Sequence, residues 1–241
     1  MNWLSGKATG TFARMKPYHQ YCPVAQALEL VGDRWALLVV RELLCGAHHF
    51  NDILRGVPRM PRSMLARRLE QLEATGLIEK NDHSKGSEYS LTEAGRALEE
   101  VLASLGLWAR SHAHRQLREE EIDAGLLMWN VQRRIDGTRV PKGEMLVRFD
   151  FLHKRRGVER YWLKIKRGVG ELCLKNPGME ESLVIHTDPR TFTEVWLGHR
   201  EFGAAIEDGD IVIDGPTKLA SSFPTWFLLN EFVELEAELR S

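Results

Sequence analysis

The sequence predicts two modules in one chain, a mostly α-helical one carrying a single β-hairpin and then an α+β one. Three observations carry this. From Pro23 to Gly76 apolar side chains recur at helical spacing, and just after Gly76 the period shortens to that of strands. Beyond about residue 139 strand-like runs dominate. The net charge of −1 also hides a split: residues 1–118 hold 16 Lys and Arg against 12 Asp and Glu, whereas residues 119–241 hold 17 against 22. Opposite charge balances in the two halves point to different partners.

Several classes of protein are set aside by composition. Mean hydropathy is −0.31, and no apolar run approaches the roughly 20 residues of a membrane-spanning helix. The opening "MNWLSGKATGTFARMKPYHQ" lacks the basic-then-apolar pattern of a signal peptide, so the expected location is the cytoplasm. Cys22, Cys45 and Cys173 lie far apart and make neither a disulfide framework nor a zinc motif. The pairs His48/His49 and His112/His114 lack the i, i+4 spacing that places two ligands on one metal. Nucleophile-elbow, Walker and dinucleotide motifs are missing, so no catalytic residue, cofactor or metal is expected, and the chain does not read as an enzyme.

The elements follow in order. Residues 1–16 are expected to form a mobile arm. Pro23 suits the first position of a helix, "PVAQALELVG", that closes at Gly32. "DRWALLVVRELLCG" is a second helix, with Asp33 as N-cap and Gly46 as stop, and "FNDILRGV" is a short third. In "MPRSMLARRLEQLEATGLIEK" Leu65, Leu69, Leu72 and Gly76 share one face of a fourth. "LIEK" and "EYSL" flank the turn-rich "NDHSKGS" as a hairpin. Thr92 caps a long helix running to about Leu117, with a stripe at Ala94, Leu98, Val101, Leu105 and Trp108. The acidic "REEEIDAG" marks a boundary, and "GLLMWNVQRRI" reads as a linking helix. "EMLVRFDFL", "RYWLKIKRG", "GELCLKN" and "ESLVIHT" then read as strands, two of which alternate apolar and polar residues as half-buried antiparallel strands do. Asp188 and Pro189 start the helix "RTFTEVWLG"; "FGAAIEDG", the strand "DIVIDG", the partly helical "PTKLASSFPTWF" and a terminal amphipathic helix complete the chain. The expected division is 17–118, 119–139 and 140–241.

The fourth helix is charged against its own dipole. A helix favours acids in its first turn and bases in its last, yet Arg59, Arg62, Arg67 and Arg68 crowd its front. A polyanion outside the chain resolves the conflict. Helices, a sharp turn into a basic helix, then a hairpin is the plan of a winged helix-turn-helix, whose recognition helix enters the DNA major groove by its N-terminal residues. With the leucine face buried, Ser63 and Arg67 are placed to read base edges, and Arg59, Arg62, Arg68 and the wing residue Lys85 to meet phosphates.

These residues resemble the HxlR family of bacterial winged-helix regulators over roughly Tyr21 to His112. The pieces are Cys22-Pro23, Gly32-Asp33-Arg34-Trp35, His49-Phe50, the Leu65-to-Leu69 spacing, Gly76-Leu77 and Tyr89-Ser90-Leu91-Thr92. The resemblance implies a homodimer on a pseudo-palindromic, double-stranded operator, with terminal helices forming much of the dimer contact. Pro61 stands where the family often has a helix-capping Ser. Some members sense oxidants through the cysteine before the proline. Cys22 occupies that place, where a helix N-terminus lowers a thiol's pKa. A thiol packed against the dimer partner is the alternative.

The second module resembles the sterol-carrier-protein fold over about residues 140–228: three strands, an Asp-x-x-Thr-Phe helix, then Gly-Asp-Ile-x-Ile-x-Gly. That resemblance implies a curved sheet with helices around an apolar tunnel, and a hydrophobic small molecule or lipid as ligand. Phe192, Trp196, Phe202, Trp226 and Phe227 are its candidate walls, with ordinary core packing as the other reading. Together the modules predict a one-component regulator that binds DNA at one end and an effector at the other.

Overall fold

The computed structural model describes residues 17–84, 86–113, 116–153 and 157–240. The arm expected over residues 1–16 lies outside them. Two compact units emerge, Met1–Leu105 and Gly106–Ser241.

In the first unit α1 (Pro23–Val31), α2 (Ala36–Leu44), α3 (Phe50–Gly56) and α4 (Arg62–Ala74) precede a hairpin of β1 (Ile78–His83) and β2 (Gly86–Leu91). Val39, Val40, Ile53, Leu65, Leu69, Leu72 and Ile78 are buried together, so the leucine face of α4 packs as its spacing predicts. Gly76 ends α4 because it can take the left-handed conformation (φ 73°). Its N–H then bonds the Glu73 carbonyl and that of Leu77 the Leu72 carbonyl, a Schellman closure. Thr92 caps α5 (Glu93–Arg96) by accepting the Gly95 N–H, and its own hydroxyl donates to the Gly76 carbonyl at 2.7 Å.

Three details depart from expectation. Asp33 does not cap α2: that helix starts at Ala36 behind Trp35, itself left-handed at φ 81°, and the Asp33 carboxylate is taken by Arg68. The hairpin strands run further into the tip than "LIEK" and "EYSL", pairing as far as His83 with Gly86. The helix after Thr92 is interrupted at Ala97, which separates α5 from α6 (Leu98–His112), and α6 stops short of Leu117.

The second unit holds the C-terminal part of α6, then α7 (Ala124–Gln132), β3 (Glu144–His153), β4 (Gly157–Lys166), β5 (Val169–Cys173), β6 (Leu183–Thr187), α8 (Pro189–Trp196), α9 (Phe202–Glu207), β7 (Ile211–Asp214), α10 (Thr217–Ser222) and α11 (Glu231–Arg240). The five strands form one sheet in the order β5-β4-β3-β6-β7. Every pair is antiparallel except β3 with β6, which is parallel, so the sheet is mixed where antiparallel pairing was expected. Alternate residues Val147, Phe149 and Phe151 of β3 and Tyr161, Leu163 and Ile165 of β4 share one buried face. Met128 and Val131 of α7 and Phe192 and Val195 of α8 cover it, so the expected linking helix is part of this core. Asp188 caps α8 through the N–H groups of Arg190 and Thr191, with Pro189 at its first position.

The acidic stretch is engaged rather than simply solvated. Glu119 pairs with Arg190 at 2.8 Å, and Asp123 caps α7 through the Leu126 N–H. Gly106 admits the ring of Phe232, since a methyl there would lie 2.1 Å from it. Arg110 holds Glu236 at 2.9 Å. Among the described residues no helix is long and apolar enough to cross a membrane.

Candidate nucleic-acid interface

Between α3 and α4 the chain turns on Val57–Met60, where the Met60 N–H bonds the Val57 carbonyl and the Met60 side chain is buried. That anchor sets the start of α4. Pro61 precedes the helix without a side-chain cap, and no acid occupies the first turn. The positive end of the helix dipole and its unsatisfied N–H groups therefore face outward together with the arginines.

Four of the predicted residues, Arg59, Arg62, Ser63 and Arg67, are exposed at this end. Ser63 and Arg67, one helical turn apart, lie opposite the buried leucines. Arg59 and Arg67 make no ion pair among the described residues. Arg62 is positioned by uncharged groups: its Nη2 donates to Asn51 Oδ1 at 3.0 Å and its guanidinium stands 5.0 Å from the Phe50 ring centre. Its charge is oriented but not neutralised.

Arg68 is a correction. Expected at a phosphate, it is 7% exposed, ion-paired with Asp33, and donates to Gln71 Oε1 at 2.6 Å. The reason is helical phase. Position 68 lies three residues after Leu65 and four before Leu72, on the flank that turns inward. That phase was legible; the acid waiting 35 residues upstream was not.

The wing is held by residues that sequence reasoning set aside. His48 and His49 tie the loop before α3 to β2: the Tyr89 N–H donates to the His48 carbonyl at 2.8 Å, and His49 makes an isolated antiparallel bridge to Glu88. Their Nδ1 atoms lie 3.2 Å from the Tyr89 carbonyl and 3.3 Å from the Ser87 carbonyl. Near the tip, the Ser87 hydroxyl and then Lys80 hold the Asp82 carboxyl below its ordinary pKa. That acid is thus locally engaged, as is Glu88, which lies 3.5 Å from His83. Lys85 lies outside the described residues.

Cys22 precedes α1 as its N-cap and is partly exposed. Cys45 and Cys173 are also only partly buried. Phe192, Trp196, Phe202, Trp226 and Phe227 do gather in one place, but as packed core. Phe192 sits 6.0 Å from Phe202 and 6.1 Å from Phe227, ring centre to ring centre, and Trp226 is fully buried. Phe202 and Phe227 are likewise in ring contact, and Trp226 meets Phe223.

Three helices, a buried turn, a basic fourth helix and a hairpin stitched to the loop before α3 define a winged helix-turn-helix module. Comparison then places it more closely. The sequence model of the family described as HxlR-like helix-turn-helix matches residues 30–117. The HTH-type transcriptional regulator YybR of Bacillus subtilis is 31% identical over 99 residues, 40% of this chain and 79% of that protein. YdeP of the same organism is 32% identical over 97 residues, 39% of this chain and 76% of that one. Among solved structures, the reduced form of the transcriptional regulator YodB from B. subtilis shares 31% identity across 39% of this chain and 97% of its own, with a TM-score of 0.35. The chain belongs to the HxlR-like helix-turn-helix family of transcriptional regulators.

Proposed function

We propose that this protein is a dimeric one-component regulator that binds operator DNA through α4 and the wing. The observation that carries the reading is the separation of the arginines. Arg68, which faces inward, has an acid. Arg59, Arg62 and Arg67, which face outward at the helix start, have none among the described residues. Backbone phosphates are anions with the reach and spacing to complete them. In this reading Ser63 and Arg67 touch base edges and Lys85 a phosphate.

Assembly is supported by a second observation. α6 buries no residue within the chain, and along it Val101, Leu105 and Trp108 stand 51%, 49% and 58% exposed at i, i+4 and i+7. Near α1, Tyr21, Val24 and Leu28 are exposed as well. A second copy covers these residues, and residues 17–118 form the DNA-binding and dimerisation domain. Residues 140–241, together with α7 of the segment 119–139, which packs into their core, form the effector domain, of sterol-carrier-protein-like plan. A five-stranded sheet with helices over one aromatic face supports that plan. A hydrophobic effector would enter by parting the rings now in contact, and it changes DNA affinity only insofar as it prefers one dimer geometry.

The test is selection from a random duplex pool by the full-length protein. Enrichment of a two-fold-related pair of half-sites about one helical turn apart is expected. Recovery of unrelated sequences with no shared half-site would contradict the reading.

A further inference from the structure

Outside the aromatic core the second unit carries a cavity of about 410 Å3, formed where the loop before β3 meets the turn between β4 and β5. Gly137, Val140, Pro141, Lys142, Gly143 and Glu144 line one side, and Lys166, Arg167 and Gly168 the other. Both walls are fixed by short-range geometry. Asp136 accepts the Thr138 N–H and hydroxyl and pairs with Arg139 at 3.1 Å, which closes the loop on itself. Arg167 and Gly168 are both left-handed, and a methyl on Gly168 would lie 2.6 Å from the Gly137 Cα, so the two walls touch backbone to backbone.

The lining is cationic in excess. Glu144 is its one acid, and it is occupied: Lys164 reaches it at 2.9 Å and Lys166 at 3.5 Å, the Lys164 hydrogen bond foremost in lowering its carboxyl pKa. Lys142 and Arg167 make no ion pair among the described residues. Lys142, Lys166 and Arg167 against Glu144 leave a surplus of two positive charges in the lining. A phosphate monoester carries about −1.5 to −2 at neutral pH, and a guanidinium fork with an adjacent ammonium is a common way to hold one. The volume falls within the roughly 300–1,000 Å3 typical of small-molecule sites, and Val140 and Pro141 offer apolar contact to the remainder of such a ligand.

We propose that this cavity binds a small phosphorylated molecule, its phosphate between Lys142 and Arg167. The site is distinct from the aromatic core and from the arginines of α4. Calorimetric titration of the full-length protein with inorganic phosphate, ribose 5-phosphate and adenosine monophosphate tests it. At least one of the three is expected to bind saturably. Lys142→Ala with Arg167→Asn, Asn being tolerant of the left-handed backbone, should weaken that binding at least tenfold with an unchanged melting temperature. Lys142→Glu alone, at an exposed position, gives a second reading and should weaken it likewise. No saturable binding by any of the three, or binding equal in wild type and variants, overturns the proposal. So does loss of non-specific duplex affinity in the double variant as large as that in Arg59→Ala, which would assign the cations to DNA backbone.

Discussion

Arg67 and Arg68 are neighbours with opposite surroundings, and the difference of about 100° around the helix axis decides their roles. Arg68 is enclosed with Asp33, so truncating it strands a carboxylate that is itself largely covered. Arg68→Ala should lower stability by about 2–3 kcal/mol, below the upper range for a fully buried pair because Asp33 keeps some solvent contact. Urea denaturation reads this directly. Arg67→Ala, on the open face, should stay within about 0.5 kcal/mol of wild type in the same experiment. Equal losses for the two variants would mean that the burial difference has no energetic weight.

At the scale of elements, α6 is a helix without a buried side chain, which is not stable practice for an apolar stripe left in water. Trp108→Glu and Leu105→Glu should each shift the protein from dimer to monomer in sedimentation velocity at micromolar concentration. A sedimentation coefficient unchanged in both would remove this stripe from the assembly. Elements defined by local signals were legible in the sequence. The start of α1 at Pro23, the closure of α4 at Gly76, the Thr92 cap and the Asp188-Pro189 start of α8 each depend on residues within a turn or so. What was not legible depends on distant partners. Asp33 fails as a cap because Arg68 claims it, His48 and His49 join the wing by a bridge because β2 lies beside them, and β6 lies parallel to β3 on the side opposite β4. The site divides the same way. The exposed arginines follow from helical phase, whereas the cavity between residues 137–144 and 166–168 joins segments that no sequence period relates.

For the whole molecule, the charge split acquires a physical sense. The half with a net of +4 carries the outward arginines, and the half with a net of −5 carries the mixed sheet. Under the proposed reading, an acidic second half would confine non-specific attraction to DNA to the first. The central claim is that the arginines at the front of α4 are completed by phosphates and bases. Duplex affinity measured across a series of salt concentrations, for wild type, Arg62→Ala and Arg67→Ala, tests it most directly. Arg62→Ala is predicted to weaken all sequences alike and to reduce the slope of log affinity against log salt by about 1. Arg67→Ala is predicted to cost about 1–3 kcal/mol on the selected site and to relax preference there. Salt slopes and sequence preferences identical in all three proteins would contradict the account.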